Sequence, residues 1–182
     1  AELTKLLENI YRSVNIGLVN EMKIISDKMN IDIHKVIKAS STKPFGFKPF
    51  YPGPGLGGHC IPIDPHYYIE IAKKFGVNSS LSPAARELNS SMPKHNANEI
   101  FKFFGQIPEK VLVMGYAYKP NISDTRETPL GPFVTTLVES GGHQVLVWDP
   151  LLDSLQLPKS AIKIDSLTEA SHVDCIVIGT AH

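Results

Sequence analysis

The sequence predicts an α/β protein in two parts: an all-helical region over residues 1–104, then a truncated, doubly wound parallel-sheet domain over residues 105–182. Three observations predict it. Apolar residues recur at helical spacing through the opening segment, a Pro/Gly-rich stretch follows, and after Pro108 short apolar runs alternate with a helical one.

Leu3, Leu6, Leu7, Ile10, Val14, Leu18 and Met22 recur at steps of three and four, the period of a long amphipathic helix over about residues 2–29. Asp32 stands where a cap would open a second short helix, IHKVIKAS. From Pro44 to Pro65, eleven of twenty-two residues are Pro or Gly. That composition excludes regular structure and predicts an ordered surface loop, of a length that usually carries function. Asp64-Pro65 reads as an N-cap followed by Pro at the first helical position, opening a third helix that closes at Gly76. A further helical region is expected over about residues 83–104, interrupted near Pro93.

The period changes after Pro108. KVLVMG (110–115) reads as a buried parallel strand with a glycine stop, and a helix from about Leu130 to Ser140 closes on Gly141-Gly142. A second strand, HQVLVWDP, and a third, DCIVIG, follow, with a helical SLTEAS turn between them. Strand, helix, strand, helix, strand is the rhythm of a doubly wound domain. The chain opens without a Met or a signal-peptide pattern and stops on an apolar run, so it reads as a fragment of a longer protein.

Composition narrows the function classes. The 18 basic and 18 acidic residues balance to zero formal charge, which argues against bulk attraction to nucleic acid or to an anionic membrane. No apolar run approaches the roughly 20 residues of a membrane span. Two cysteines, Cys60 and Cys175, cannot form a disulfide scaffold and suit a reducing, cytoplasmic setting. The seven histidines form no close cluster with either cysteine, so no metal site is expected. GxSxG is absent, and the loop after the first strand carries no GxGxxG.

The Pro/Gly loop ends in Gly57-Gly58-His59-Cys60-Ile61-Pro62-Ile63-Asp64. Glycines permit close backbone approach to a ligand, and a thiol just before a helix N-terminus gains thiolate character. A cysteine with a carboxylate four residues on suits covalent chemistry on a carbonyl, although a buried thiol and a simple cap are the commoner roles of such residues. Lys5 and Asn9 share one helix face and could donate to one ligand oxygen. Cys175, inside CIVIG, belongs to the core. The loop after the first strand, Gly115 to Pro129, carries Lys119 and Arg126 at the carboxyl end of a parallel strand, where such folds bind ligands. Asp124 and Glu127 stand close enough to neutralise both cations, and Asp149 is placed either to cap the following segment or to contact a ribose.

Three segments, AELTKLLENIYRSVNIGLVNE, FYPGPGLGGHCIPIDP and GYAYKPNISDTRETP, together with VLVWDP, resemble in order and spacing the UDP-glucose/GDP-mannose dehydrogenase family over nearly the whole chain. The extended STKPFGFKPFYPGPGLGGHCIPIDP is more similar to the branch acting on UDP-N-acetylhexosamines than to the UDP-glucose branch. An arginine found before the cysteine loop in many UDP-glucose enzymes has no counterpart here, where Lys48 is the nearby cation.

The resemblance implies a central helical dimerisation region, residues 1–104, and a truncated Rossmann-like UDP-sugar-binding domain, residues 105–182. It implies oxidation of a sugar C6 alcohol to the uronate with two NAD, Cys60 carrying a thiohemiacetal and then a thioester. Lys5, Asn9 and Asp64 match the other catalytic positions. Gly57, Gly58 and Lys119 match substrate-binding positions, and Arg126 matches one reaching NAD, which is bound mainly by an N-terminal domain absent from this chain. The implied partners are a UDP-sugar and a second copy through the first helix, with no nucleic acid and no membrane. UDP-glucose or GDP-mannose remain alternative substrates, and a catalytically inactive UDP-sugar-binding module is the alternative of another class. The presence of Cys60, Lys5, Asn9 and Asp64 together favours the enzyme.

Overall fold

The computed structural model describes residues 2–141, 144–154 and 156–182. By compactness the chain forms two units: Ala1–Gly53 with Cys60–Met92, and Pro54–His59 with Pro93–His182.

The first unit is helical. Helix α1 (Glu2–Lys28) matches the expected span, and α2 (Ile33–Ser40) is capped as predicted, with the Asp32 carboxylate accepting from the His34 N–H at 2.9 Å. Helix α3 (Asp64–Lys74) begins one residue earlier than expected. Ile63 is the N-cap and makes no side-chain cap bond, while Asp64 and Pro65 occupy the first turn. The Asp64 carboxylate is not a cap because side chains of α1 already bind it. Gly76, at φ +71, follows the helix end in the left-handed conformation glycine favours.

Burial on α1 runs opposite to its hydrophobicity. The buried residues are Asn9, Ser13, Gly17, Asn20 and Ser26, whereas Leu3, Leu7, Leu18 and Met22 are exposed. The inward face is close-packed through small groups: a Cβ on Gly17 would lie 3.2 Å from the Ala85 Cβ. Its asparagines are paired, while the buried Ser13 hydroxyl is not. The Asn20 amide donates to Asn89 Oδ1 at 2.9 Å, Asn89 donates to the Ser13 carbonyl at 2.9 Å, and Asn20 Oδ1 accepts from the Gly53 N–H at 3.0 Å. That last bond ties down the segment entering the Pro/Gly loop.

Helix α4 (Leu81–Phe104) is continuous through Pro93 and not interrupted there. Proline removes one backbone bond, but Met92 and Pro93 are both buried, and tertiary packing carries the helix across the gap. The boundary between the compact units falls at this proline.

The second unit is an α/β fold. Strands β1 (Lys110–Met114), β2 (Gln144–Trp148), β3 (Ala161–Lys163) and β4 (Cys175–Ile178) form one parallel sheet in the order β3-β2-β1-β4. Helix α5 (Leu130–Glu139) makes the crossover from β1 to β2. Its Leu130, Phe133, Val134 and Leu137 pack with Val111, Val113, Val145 and Val147 on one sheet face. Leu112, Leu146 and Ile164 pack on the other. The rhythm departs from expectation in two places. The short strand β3 was not expected, and the SLTEAS segment forms only a 3-10 turn, Leu167–Glu169, closed by a capping box on Ser166. Cys175 is half-buried against the core, and burial pushes its thiol pKa up. Gly142 and His143, which the sequence places at the end of α5 and the start of the second strand, lie outside the described residues.

Candidate functional site

In the first unit the residues singled out on α1 and the Pro/Gly loop meet on α3. Lys5 and Asn9, one helical turn apart, project from the same face of α1. Asn9 Nδ2 donates to Asp64 Oδ2 at 2.6 Å, and Lys5 Nζ lies 3.2 Å from the same oxygen. Asp64 is buried at 5% exposure, while Lys5 is exposed. The two donors expected to share a ligand oxygen therefore share a carboxylate oxygen. The Asp64 hydrogen bond and charge raise the Lys5 pKa, with a smaller contribution from the Cys60 thiol, so the ammonium form is reinforced and the thiol lies within its electrostatic reach.

Backbone geometry delivers Cys60 to this group. Its carbonyl accepts from the Asp64 N–H at 2.8 Å and from the Ile63 N–H at 3.2 Å, closing a turn directly onto α3. The thiol is free and exposed. A nucleophile, a buried carboxylate and two donors thus converge on the opening turn of a helix, the set that addition to a carbonyl and stabilisation of an oxyanion require.

Gly57, Gly58, Lys119 and Arg126 belong to the second unit. The Gly58 N–H donates to the Arg126 carbonyl at 3.1 Å. A Cβ on Gly57 would stand 2.6 Å from the Tyr118 Cβ, and one on Gly58, at φ +83, 2.8 Å from the Tyr118 ring. The close approach these glycines allow is filled by Tyr118. Arg126 Nη2 lies 2.6 Å from Asp124 Oδ2, and its Nε and backbone N–H also donate to this carboxylate. The guanidinium bond is the main cause that holds the Asp124 carboxyl below its ordinary pKa, as the sequence anticipated from the spacing of these charges.

The loop between β1 and α5 borders a cleft of about 180 Å³ lined by Gly55, Gly57, Ala117, Tyr118, Pro120 and Thr180 among others. Lys119 stands exposed between two lining residues, at the carboxyl end of a parallel strand. Asp149 answers the alternatives left open by its position. Its side chain is fully buried, Oδ1 accepts from the Leu151 N–H at 2.9 Å, and Oδ2 accepts from Tyr116 and Ala117 N–H at 2.6 and 3.0 Å. No ribose can reach it; it caps the following turn and binds the loop after β1.

Burial would raise the Asp149 pKa, but the N–H groups of Tyr116, Leu151 and Ala117 and the His182 side chain outweigh it and lower it. A lowered folded-state value adds stability above the unfolded value near 3.9, and that stability is lost as pH falls through the folded value. Urea midpoints should therefore fall as pH drops below about 4 to 5. Asp149→Asn should cost about 1–3 kcal/mol at neutral pH and flatten this acid arm. An unchanged acid arm would show that Asp149 carries none of it.

His182 and the Asn20–Asn89 pair were not visible in the sequence as structural partners, because each pairing joins segments far apart in the chain. Among the described residues no cluster of three or more His, Cys, Asp or Glu could hold a metal ion, and no helix is long and apolar enough to cross a membrane.

Comparison with known proteins gives the same reading over both units. Residues 1–91 match the family model of the UDP-glucose/GDP-mannose dehydrogenase family central domain, and residues 112–182 match that family's UDP binding domain. A UDP-N-acetyl-D-mannosamine dehydrogenase of Methanococcus maripaludis is 37% identical over 185 residues, covering 100% of this chain and 41% of the relative. The solved UDP-D-ManNAc dehydrogenase of Pyrococcus horikoshii superposes with a TM-score of 0.83 at 33% identity, covering 100% of this chain and 42% of that one. A UDP-glucose dehydrogenase of Pyrobaculum islandicum gives a TM-score of 0.86 at 26% identity over 98% of this chain and 43% of its own. The chain thus spans about 41% of the length of the curated relative.

Proposed function

Since the chain belongs to the UDP-glucose/GDP-mannose dehydrogenase family, we propose that it forms the cysteine-bearing and UDP-binding part of a nucleotide-sugar 6-dehydrogenase acting on a UDP-N-acetylhexosamine. The observation that carries the reading is the convergence of Lys5 and Asn9 on buried Asp64, four residues after Cys60. The substrate branch rests on the extended cysteine-loop sequence and on the names of the maripaludis and horikoshii relatives.

In this reaction the C6 alcohol gives up a proton and a hydride and becomes an aldehyde. The Cys60 thiolate adds to the aldehyde carbon, and the resulting thiohemiacetal loses a second hydride to become a thioester. Water then adds, the C–S bond breaks, and the uronate leaves with the thiol restored. NAD would supply the oxidant, two molecules bound in turn each taking one hydride. Lys5 and Asn9 donate to the oxyanion that forms at each addition, and Asp64 accepts the proton of the attacking water. Lys119 contacts the UDP portion as a point charge, and Gly57 and Gly58 contribute loop backbone beside it. Arg126 is the candidate for an NAD phosphate, but its guanidinium is already held by Asp124. The described residues therefore supply at most an edge of the NAD site, and the chain alone is expected to be inactive.

The test is the NADH yield per sugar in a chain of the relatives' full length, offered UDP-N-acetylglucosamine, UDP-N-acetylmannosamine, UDP-glucose and GDP-mannose. About two NADH per sugar with a UDP-N-acetylhexosamine is the expected result. UDP-sugar binding with no NADH would instead favour an inactive binding module. Lys119→Ala should weaken UDP and every UDP-sugar alike, by about tenfold; unchanged affinity by calorimetry would remove Lys119 from the site.

The exposed apolar face of α1 further supports a homodimer through this helix. Leu3, Leu7, Tyr11, Leu18, Met22 and Ile25 lie along it at steps compatible with a helix–helix seam, and a second copy of the same face is their proposed cover. Leu18→Glu should shift the protein from dimer to monomer in sedimentation equilibrium. A dimer of undiminished affinity would place the interface elsewhere.

A further inference from the structure

Lys119 is the exposed apex of a loop whose shoulders are fixed from below. On one side, the Tyr116 and Ala117 N–H groups donate to Asp149 Oδ2, and the Ala117 carbonyl accepts from the Thr180 hydroxyl at 2.5 Å. On the other, the Asn121 N–H donates to His182 Nδ1 at 3.1 Å, while His182 Nε2 lies 3.1 Å from the same Asp149 oxygen. One carboxylate therefore holds two residues before Lys119, Tyr116 and Ala117, directly and the second residue after it, Asn121, through an imidazole. The His182 side chain is 9% exposed and that of Asp149 is fully buried, so water competes little for the bond between them.

The hydrogen-bond directions fix the ring's protonation pattern. Nδ1 accepts from an amide, so it carries no proton, and the Nε2 proton points at Asp149. The imidazole acts as a rigid, two-ended spacer between a carboxylate and a main-chain donor. Asn121 has φ +62, an uncommon conformation for a residue with a side chain, and its N–H is the group His182 engages. Asp149 also meets Leu151, so the spacer joins the ends of β1 and β2 and the segment after β4 at the carboxyl edge of the sheet.

We propose that Asp149 and His182 form a carboxylate–imidazole clamp that positions Lys119 for the nucleotide diphosphate, His182 acting as a positioning residue through Asn121. The inference rests on the proposed UDP site and adds to it the device that orients its cation. Lys119 makes none of these bonds, so the clamp fixes the backbone on both sides and leaves the ammonium to the ligand. Its value lies in preorganisation: a lysine on a fixed loop loses less freedom when it meets a diphosphate than one on a mobile loop.

The test is a double-mutant cycle on UDP affinity, measured by calorimetry with Lys119→Ala, His182→Ala and the double variant. Each single change should weaken UDP by about tenfold, and His182→Ala should cost little further once Lys119 is gone. His182→Gln, whose amide offers a donating NH2 and an accepting oxygen, should recover much of the loss. A His182→Ala penalty of equal size in both backgrounds, or no penalty in either, would overturn the proposal. Amide hydrogen exchange without ligand separates this failure from failure of the UDP site itself. In His182→Ala the Asn121 amide should exchange at least about tenfold faster; unchanged protection there would overturn the clamp whether or not UDP binds. Loss of UDP binding in the unaltered chain, with Asn121 protection still dependent on His182, would overturn the nucleotide site and leave the clamp as loop architecture only, which also refutes the proposal as stated.

Discussion

Gly115→Ala should unfold the second unit or leave it only marginally stable. Gly115 follows β1 at φ +80, where a side chain is strained, and a Cβ there would stand 2.0 Å from the Thr180 carbonyl oxygen. The neighbour is main chain at the end of β4, so no rotamer change relieves the clash. Gly179 mirrors the arrangement, its own Cβ position lying 2.7 Å from the Gly115 carbonyl oxygen. The ends of β1 and β4 approach this closely because Gly179 and Thr180 N–H both donate to the Met114 carbonyl. Strain and overpacking together should cost about 3–5 kcal/mol, a large share of a domain's stability. Gly105→Ala is the control: φ is +68 there but nothing lies within 4 Å of the added carbon, so only about 1–2 kcal/mol of conformational cost applies. Trp148, the single tryptophan, sits on β2 and reports this unit in urea titrations. Equal midpoints for the two variants would show that the strand ends separate at little cost.

On the proposed thioester route, Cys60→Ser should lower uronate formation in a chain of the relatives' full length by at least about a thousandfold while leaving UDP affinity within about twofold. A serine hydroxyl in place of the thiol keeps the size and the turn geometry, whose bonds use the backbone carbonyl of this residue and not its side chain. What changes is nucleophilicity and leaving-group quality, because sulfur attacks a carbonyl and leaves a tetrahedral adduct more readily than a serine oxygen does. The first oxidation needs no covalent attachment, so the aldehyde, formed with one NADH released per sugar, is the product to look for. Near-normal uronate production would refute the thioester route. A parallel loss of UDP binding would point to a folding defect, which circular dichroism of the variant resolves.

How far the sequence could be read depends on the range of the interactions involved. Local signals were sufficient where the cause is local: Asp32 caps α2 two residues away, Gly76 ends α3, and the valine-rich runs of β1 and β2 are buried on both faces of the sheet. Local signals misled where a distant partner decides. Asp64 looks like a cap because Pro65 follows it, yet Asn9, 55 residues away, takes its carboxylate. Pro93 looks like a break, yet burial of Met92 and Pro93 carries α4 past it. Strand β3 is three residues long, too short for any period to show, and exists because β2 supplies its ladder. The candidate site was legible as a set of residue types, Lys5, Asn9, Cys60 and Asp64. That the two donors converge on Asp64 is a tertiary fact, visible only once α1 and α3 are placed.

The inverted burial of α1 makes this helix unusual in how it tolerates change. A core built from aliphatic chains degrades gradually, because a lost methyl group leaves a small void that neighbours partly fill. Here the inward positions are matched by donor and acceptor, Asn20 with Asn89, Asn89 with the Ser13 carbonyl, Asn9 with Asp64. Replacing one member strands its partner away from water, so the cost arrives all at once, whereas replacing both members together is far cheaper. Substitutions along this face are therefore expected to be accepted in pairs, and the outward leucines singly. If two copies meet through this face as proposed, melting of the first unit is expected to depend on protein concentration, since the apolar seam is then buried only in the dimer.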